Sequence, residues 1–155
     1  PLLFLHGFMG SGADWSVVVD ALRDEHLCIT VDLPGHGGSV GRAGPEAYTL
    51  EAAARGVTGV LDAEGISACL WVGYSMGGRA ALYAAERTPE RCRSLVLESA
   101  SPGLETEGER RGRVWIDDRR AEHLETRFPS FLEAWYHSPL LGMSGMSWTT
   151  TDVVP

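Results

Sequence analysis

Lysine is absent: all thirteen basic residues are Arg, set against 21 acidic residues for a net charge of -8. That balance excludes a phosphate-backbone partner as the expected ligand, because nucleic-acid binding uses a basic face to release counterions. Cysteine is scarce. Cys28, Cys69 and Cys92 are odd in number and lie in or beside apolar runs, without the pairing of a disulfide scaffold or the spacing of a zinc site. Buried free thiols, and no metal, are therefore expected. No stretch approaches the ~18 unbroken apolar residues of a membrane span, and no charged-then-apolar signal segment opens the chain, so no membrane span and a cytoplasmic setting are expected. An initiator Met is missing too. The chain opens on Pro1 and enters an apolar run at once, which reads as a truncated piece of a longer coding sequence. What is present suits one globular domain: 155 residues, 44% hydrophobic and 22% charged.

Apolar runs and helical spacings alternate along the chain. Pro1 to Leu5 is a short continuous apolar run ended by His6-Gly7, as expected of a buried parallel strand that stops at a functional loop. Trp15, Val18, Val19 and Leu22 then recur at helical spacing, and with Asp14 in position to cap, a helix from about Asp14 to Arg23 is expected. Leu27 to Leu33 reads as a second strand. Pro34 to Tyr48 holds five Gly and two Pro, too many breakers for a regular element, and is read as loop. Leu50, Ala53, Ala54, Val57 and Leu61 restore helical spacing behind Thr49 as cap. Cys69 to Gly73 reads as a third strand, Met76 to Arg87 as a helix and Ser94 to Glu98 as a fourth strand. This alternation predicts an α/β fold: right-handed crossovers, a mainly parallel sheet, and helices on both faces. After it come an Arg-rich segment, Glu105 to Arg127, and an aromatic one, Phe128 to Tyr136. The expected organisation is a partial core over 1–101, a helical cap segment over 102–141 and an irregular tail over 142–155.

The chemistry is concentrated in Gly73-Tyr74-Ser75-Met76-Gly77, a G-x-S-x-G placed where an apolar strand gives way to a helix. A sharp strand-to-helix turn forces the Ser into a strained conformation that only small neighbours permit, and it presents the hydroxyl at the carboxyl edge of the sheet. The helix beginning at Met76 aims backbone N–H groups and its positive dipole end at the same point. His6-Gly7-Phe8 follows the first strand, where such folds place the loop that supplies a second oxyanion donor, here Phe8 N–H opposite Met76 N–H. A doubly wound sheet sets its first and third strands side by side, so both loops should face one crevice. His36, in Asp32-Leu33-Pro34-Gly35-His36-Gly37-Gly38-Ser39, invites assignment as the base. Where a G-x-S-x-G elbow carries a triad, however, the order is Ser, then acid, then His after the last strand. His36 is read as shaping its loop by hydrogen bonding, His6 as structural, and His26, His123 and His137 have no motif around them. The triad acid and His are expected outside the chain.

On LHGFMGSGADW, DLPGHGGS and GYSMGGRAALYAA, the sequence resembles the α/β-hydrolase superfamily. More narrowly, GYSMGGR, LVLESASPGL, the pair Arg110 and Arg113, and EAWYHSPL resemble the 2-succinyl-6-hydroxy-2,4-cyclohexadiene-1-carboxylate synthases of menaquinone biosynthesis. That resemblance implies elimination of pyruvate from a polycarboxylated cyclohexene by a triad-activated Ser, with no metal or cofactor and a small-molecule polycarboxylate as partner. Such a substrate calls for guanidinium forks, since Arg binds carboxylate bidentately and stays charged when desolvated. Arg79 lies one helical turn beyond Ser75, and Arg110 and Arg113 share a face of the cap helix. Tyr74 and Trp135 are similar to the family's aromatic contacts over the substrate ring. The competing expectation makes the cap arginines a solvated face balancing Glu105, Glu107, Glu109, Asp117 and Asp118; it is accepted for Arg111, Arg119 and Arg120, while Tyr136 and Trp15 are read as core. Two alternatives to the synthase remain: a serine hydrolase acting on ester or carbon–carbon bonds, and an inactive piece, since a complete domain of this kind runs to about 200–250 residues. Four strands without further neighbours would leave an open apolar edge and poor solubility.

Overall fold

A computed structural model describes residues 1–41 and 44–137. The expected tail over 142–155, and the end of the expected cap, lie outside the described residues. The chain divides into two compact units, Pro1–Gly103 and a second beginning at Leu104.

In the first unit, β1 (Leu2–Leu5), β2 (Cys28–Val31), β3 (Cys69–Tyr74) and β4 (Cys92–Glu98) form one sheet in the order β2-β1-β3-β4. All three pairings are parallel. Leu3 and Leu5 alternate with Phe4, so the strand period of two sends them to opposite faces. Leu3, Leu5, Cys69 and Trp71 pack in one cluster with Val57 and Leu61 of α2 (Leu50–Ala63) and Ala80, Ala81 and Ala84 of α3 (Met76–Arg87). Phe4 turns the other way, and its ring meets Trp15 at 5.2 Å. α2 forms where its spacing predicts. Thr49 caps it by accepting from Ala52 N–H at 3.2 Å, and its buried face is Ala53, Ala54, Val57 and Leu61.

The first helix differs from expectation. A 3-10 turn occupies Gly12–Trp15, and α1 covers only Ser16–Leu22. Asp14 lies inside the turn, where its carboxylate accepts from Ser11 N–H at 3.1 Å. The change of pitch at Trp15 breaks the apolar stripe: Trp15 reaches Phe4, while Val18 is 38% exposed and no residue of α1 is buried. The Gly-rich loop after β2 also carries two short 3-10 turns, Gly37–Ser39 and Pro45–Tyr48. β4 starts two residues earlier than predicted, and it pairs among the described residues with β3 alone, leaving Val96 and Leu97 exposed. Cys69 is buried, but Cys28 and Cys92 are half-exposed because they open strands at the rim of the sheet; all three are free thiols.

The second unit contains α4 (Glu107–Thr126) and α5 (Phe128–Tyr136). α4 is nucleated by reciprocal capping, with Glu109 N–H donating to Thr106 Oγ1 at 3.2 Å and Thr106 N–H to Glu109 Oε2 at 2.8 Å. Such caps contribute about 1 kcal/mol each. No residue of α4 is buried, and Phe131 of α5 is the one buried residue of that helix.

Glycines separate two physical situations that a substitution series will resolve. A Cβ at Gly77 would overlap the Leu5 carbonyl oxygen, with the His6 carbonyl oxygen 2.5 Å away, whereas Gly56 and Gly59 on α2 face open space. We expect Gly77→Ala to lower stability by about 3 kcal/mol or more, since backbone must move. Gly56→Ala should raise it by about 0.5–1 kcal/mol through helix propensity. Urea denaturation midpoints measure both; a tolerated alanine at Gly77 would contradict the packing.

Candidate active site

The elements of the first unit converge at the carboxyl edge of the sheet. Leu5 of β1 stands in register with Gly73 of β3, so the loop leaving β1 and the turn leaving β3 start side by side. At that turn Ser75 adopts φ 51° and ψ -112°. A left-handed φ in a residue with a Cβ costs on the order of 1–3 kcal/mol and persists only where the surroundings impose it. Here they do so from both sides. Ser75 N–H donates to the Glu98 carbonyl at the end of β4, at 2.9 Å, and the Ser75 carbonyl accepts from Arg79 N–H at 3.1 Å, opening α3. Gly77 brings the first turn of α3 onto the last carbonyls of β1.

The His6-Gly7-Phe8 loop abuts this elbow. A Cβ at Gly7 would lie 2.8 Å from the Tyr74 ring and 3.5 Å from Ser75 Cβ, so the missing side chain lets the loop reach the serine. Tyr74, Ser75 and Met76 are each partly exposed and Phe8 is 38% exposed. Phe8, Tyr74, Ser75 and Met76 are thus gathered at one edge. Arg79 is on the first turns of α3 with an exposed side chain.

Three polar side chains tie the loop after β1 to the loop after β2. Buried His6 has its Nδ1 2.7 Å from the Gly7 carbonyl, and its Nε2 accepts from Leu33 N–H at 3.0 Å. Asp32 accepts from Gly12 N–H at 2.6 Å and from Gly38 N–H at 2.7 Å. His36 has Nδ1 3.1 Å from the Pro34 carbonyl and accepts at Nε2 from Met9 N–H at 3.4 Å. A carbonyl facing Nδ1 and an amide donor facing Nε2 assign both imidazoles to the Nδ1–H tautomer. Both ring nitrogens of His6 and of His36 are therefore engaged with backbone, and neither histidine is available as the base for Ser75. The clamp formed by Asp32 was not anticipated from the sequence. An acidic residue closing a strand just before a Gly-rich loop was the signal that could have found it.

Electrostatics follow from these contacts. Burial pushes the His6 imidazole below its ordinary pKa, against the opposing pull of the Gly7 carbonyl. The Gly12 N–H, then the Gly38 N–H, hold the Asp32 carboxyl below the usual carboxylate range.

The remaining sequence-derived candidates belong to the second unit. Arg110 donates to the carbonyls of Leu104 and Glu105 at 2.8 and 3.0 Å and pairs with Glu107 at 3.2 Å, which bonds it to the segment leading into α4. Arg113 Nε pairs with Asp117 Oδ2 at 2.6 Å, and Arg120 reaches the other oxygen of the same carboxylate at 3.2 Å. Trp135 stacks on Phe131 at 5.8 Å, with the Arg120 guanidinium 5.5 Å from its ring. Arg120 was expected on a solvated face. It is instead half-buried and sandwiched between a carboxylate and an indole, because α5 folds its aromatic side onto that turn of α4. Arg111 and Arg119 are exposed, Arg119 lying 5.2 Å from the Trp115 ring. Among the described residues no group of three or more His, Cys, Asp or Glu could hold a metal ion, and no helix is long and apolar enough to cross a membrane.

Comparison with known proteins bears directly on this geometry. A family model described as the alpha/beta hydrolase fold matches residues 1–135. The 2-succinyl-6-hydroxy-2,4-cyclohexadiene-1-carboxylate synthase of Pectobacterium atrosepticum is 40% identical over 137 residues, covering 87% of this chain and 53% of that protein. The Escherichia coli O1:K1 protein of the same name is 36% identical over 148 residues, covering 90% and 54%. Among solved structures, MenH from S. aureus superposes with a TM-score of 0.81 at 33% identity, covering 89% of this chain and 52% of that one. An epoxide hydrolase from Bacillus megaterium shares the fold at a TM-score of 0.77 and 19% identity. The chain spans about half the length of the curated relatives it matches.

The loop clamps predict a stepped acid response. His6 has a folded-state pKa below its ordinary 6.5, so the unfolded chain takes up this proton first. Its contribution is complete above the unfolded value and is lost as pH falls through the folded one. Asp32, lowered from 3.8, has the same sign at lower pH. Stability should fall first below about pH 6.5, a step that His6→Gln removes, and again below about pH 4, a step that Asp32→Asn reduces while the lowered Glu51 and Glu109 carboxyls keep the rest of it. Urea midpoints between pH 8 and pH 3 measure this, and an unchanged first step in the His6 variant would refute the assignment.

Proposed function

Since the chain belongs to the α/β-hydrolase fold family, we propose that it carries the serine half of an enzyme that eliminates pyruvate from a succinyl-enolpyruvyl-hydroxycyclohexene carboxylate. The product is 2-succinyl-6-hydroxy-2,4-cyclohexadiene-1-carboxylate, the reaction belongs to menaquinone biosynthesis, and the setting is cytoplasmic. The observation that carries the reading is Ser75 at φ 51°, with Gly7 of the neighbouring loop packed against its Cβ. It is supported by relatives named for this synthase at 36% and 40% identity.

In this reading Ser75 Oγ, activated by a histidine, takes a ring proton from the substrate. The released electron pair forms the new ring double bond and the carbon–oxygen bond to the enolpyruvyl group breaks; the departing enolate takes up one proton, balancing the one removed from the ring, and is released as pyruvate. No step needs a metal or cofactor. Phe8 N–H, Met76 N–H and the helix end hold the negative charge that develops; donors aimed at such charge are each worth about 10²–10³ in rate. Arg79 meets a substrate carboxylate and Tyr74 lies along the ring, and Arg110, Arg113 and Trp135 are proposed as further substrate contacts. For Arg113 this means exchanging Asp117 for a substrate carboxylate, and for Arg110 leaving its backbone carbonyls. The histidine and its acid belong to the part of the relatives' length that this chain does not span. With His6 and His36 both engaged by backbone, the 155-residue chain by itself should show no turnover.

The elbow geometry would also serve an acyl-enzyme hydrolase, so the assay must separate the two. In a protein of the relatives' full length carrying these residues, pyruvate release from the tricarboxylate substrate should fall about 10²–10⁴-fold in Ser75→Ala. It should fall about tenfold or more in Arg79→Ala, with KM raised. Cleavage of simple esters without pyruvate release would transfer the assignment to a hydrolase.

A further inference from the structure

We propose that His36 is a positioning residue: its imidazole sets the orientation of the Phe8–Met9 peptide in the turn beside Ser75. The structural half of this inference stands alone, while its effect on turnover rests on the function proposed above.

The turn runs from Gly7 to Gly10, closed by Gly10 N–H donating to the Gly7 carbonyl at 3.2 Å. Met9, its third residue, has φ 66°, while Phe8 is not among the positive-φ residues. Positive φ at the third position alone is the type II arrangement, which favours Gly there; the type I alternative has the central peptide plane turned over by about 180°. Met9 carries a Cβ, so local preference opposes what is observed, and something outside the turn must select it. Met9 N–H belongs to that central peptide and donates to His36 Nε2 at 3.4 Å. The Pro34 carbonyl, 3.1 Å from Nδ1, holds the ring in the tautomer whose Nε2 can accept. The Phe8 ring meets the same imidazole edge-on, with centroids 5.9 Å apart. In the flipped turn the Phe8 carbonyl would face Nε2, lone pair against lone pair, so His36 favours one orientation and opposes the other.

The other two clamps do not reach this peptide. His6 holds Leu33 N–H and Asp32 holds Gly12 N–H, fixing the chain on either side of the turn, while His36 bonds its central plane.

Two substitutions and a compensating one test the proposal. Leu at 36 keeps bulk and removes the acceptor; Gln places an amide oxygen near the position of Nε2; Met9→Gly makes positive φ free of cost. In the 155-residue chain, amide exchange followed by NMR should show Met9 exchanging about threefold to tenfold faster in His36→Leu, with Leu33 and Gly12 unchanged and His36→Gln close to wild type. Unchanged Met9 exchange in His36→Leu, or an equal rise at Leu33 and Gly12, would overturn the proposal. In the full-length protein, loosening the turn whose first amide is the Phe8 N–H should lower kcat about tenfold in His36→Leu with KM nearly constant, and adding Met9→Gly should recover most of the loss. A loss that Met9→Gly does not relieve would overturn it as well. Absence of turnover in every version, wild type included, would count against the proposed reaction, while the Met9 exchange result would still decide the role of His36.

Discussion

Everything at the carboxyl edge of this sheet depends on how closely α3 can approach the end of β1. Gly77 has no side chain, and its Cα sits against the last carbonyls of β1. That contact pins the start of α3 where a continuing strand would otherwise run, and the chain between Tyr74 and Met76 must turn sharply to meet it. Ser75 absorbs the turn as a left-handed φ, and the hydrogen bond from its N–H to the Glu98 carbonyl ties the strained residue to the neighbouring strand. The strain is local, and the packing that imposes it is distributed over β1, β3, β4 and α3.

A second layer of constraint is polar. Among the described residues, the loops after β1 and β2 contain no regular element longer than a 3-10 turn, so hydrophobic packing alone gives them little definition. His6, Asp32 and His36 supply it by accepting backbone N–H groups across the two loops. Each uses a side chain of fixed shape to satisfy amides that no ladder or helix would otherwise serve. The result is a pair of loops held mainly through their backbone, and backbone N–H groups held in this way can face developing charge without reorganising. In the second unit, by contrast, the arginines engage carboxylates and carbonyls of their own helix and its approach.

Much of this was legible in the amino-acid sequence. The β3–turn–α3 unit announces itself because an apolar strand, a G-x-S-x-G and a helical period lie end to end, and each constrains the next. The adjacency of β1 and β3 follows from parallel crossovers, and it brought His6-Gly7-Phe8 beside Ser75 in the expected way. α1 was less legible: the periodic apolar residues include Trp15, which belongs to a 3-10 turn, and periodicity cannot register a change of helical pitch. The Asp32 bond to Gly12 N–H and the Met9–His36 bond were harder to read because they join residues 20 or more apart in loops without any period, and only the position of Asp32 before a Gly-rich loop hinted at its role. Arg120 went unmarked for a different reason. On a polar helix every arginine has an acidic residue three or four positions away, and only the packing of α5 singles one out.

The central claim is that Ser75 is held in a left-handed conformation against the loop leaving β1. Solution NMR on the 155-residue chain tests it directly, by the nuclear Overhauser contacts of Ser75. The account predicts a strong intraresidue HN–Hα contact, as positive φ requires, together with contacts from the Ser75 Hβ protons to the Gly7 Hα protons. A weak intraresidue contact typical of extended backbone, with no contact to Gly7, would mean that the elbow does not form, and the site described above would fall with it.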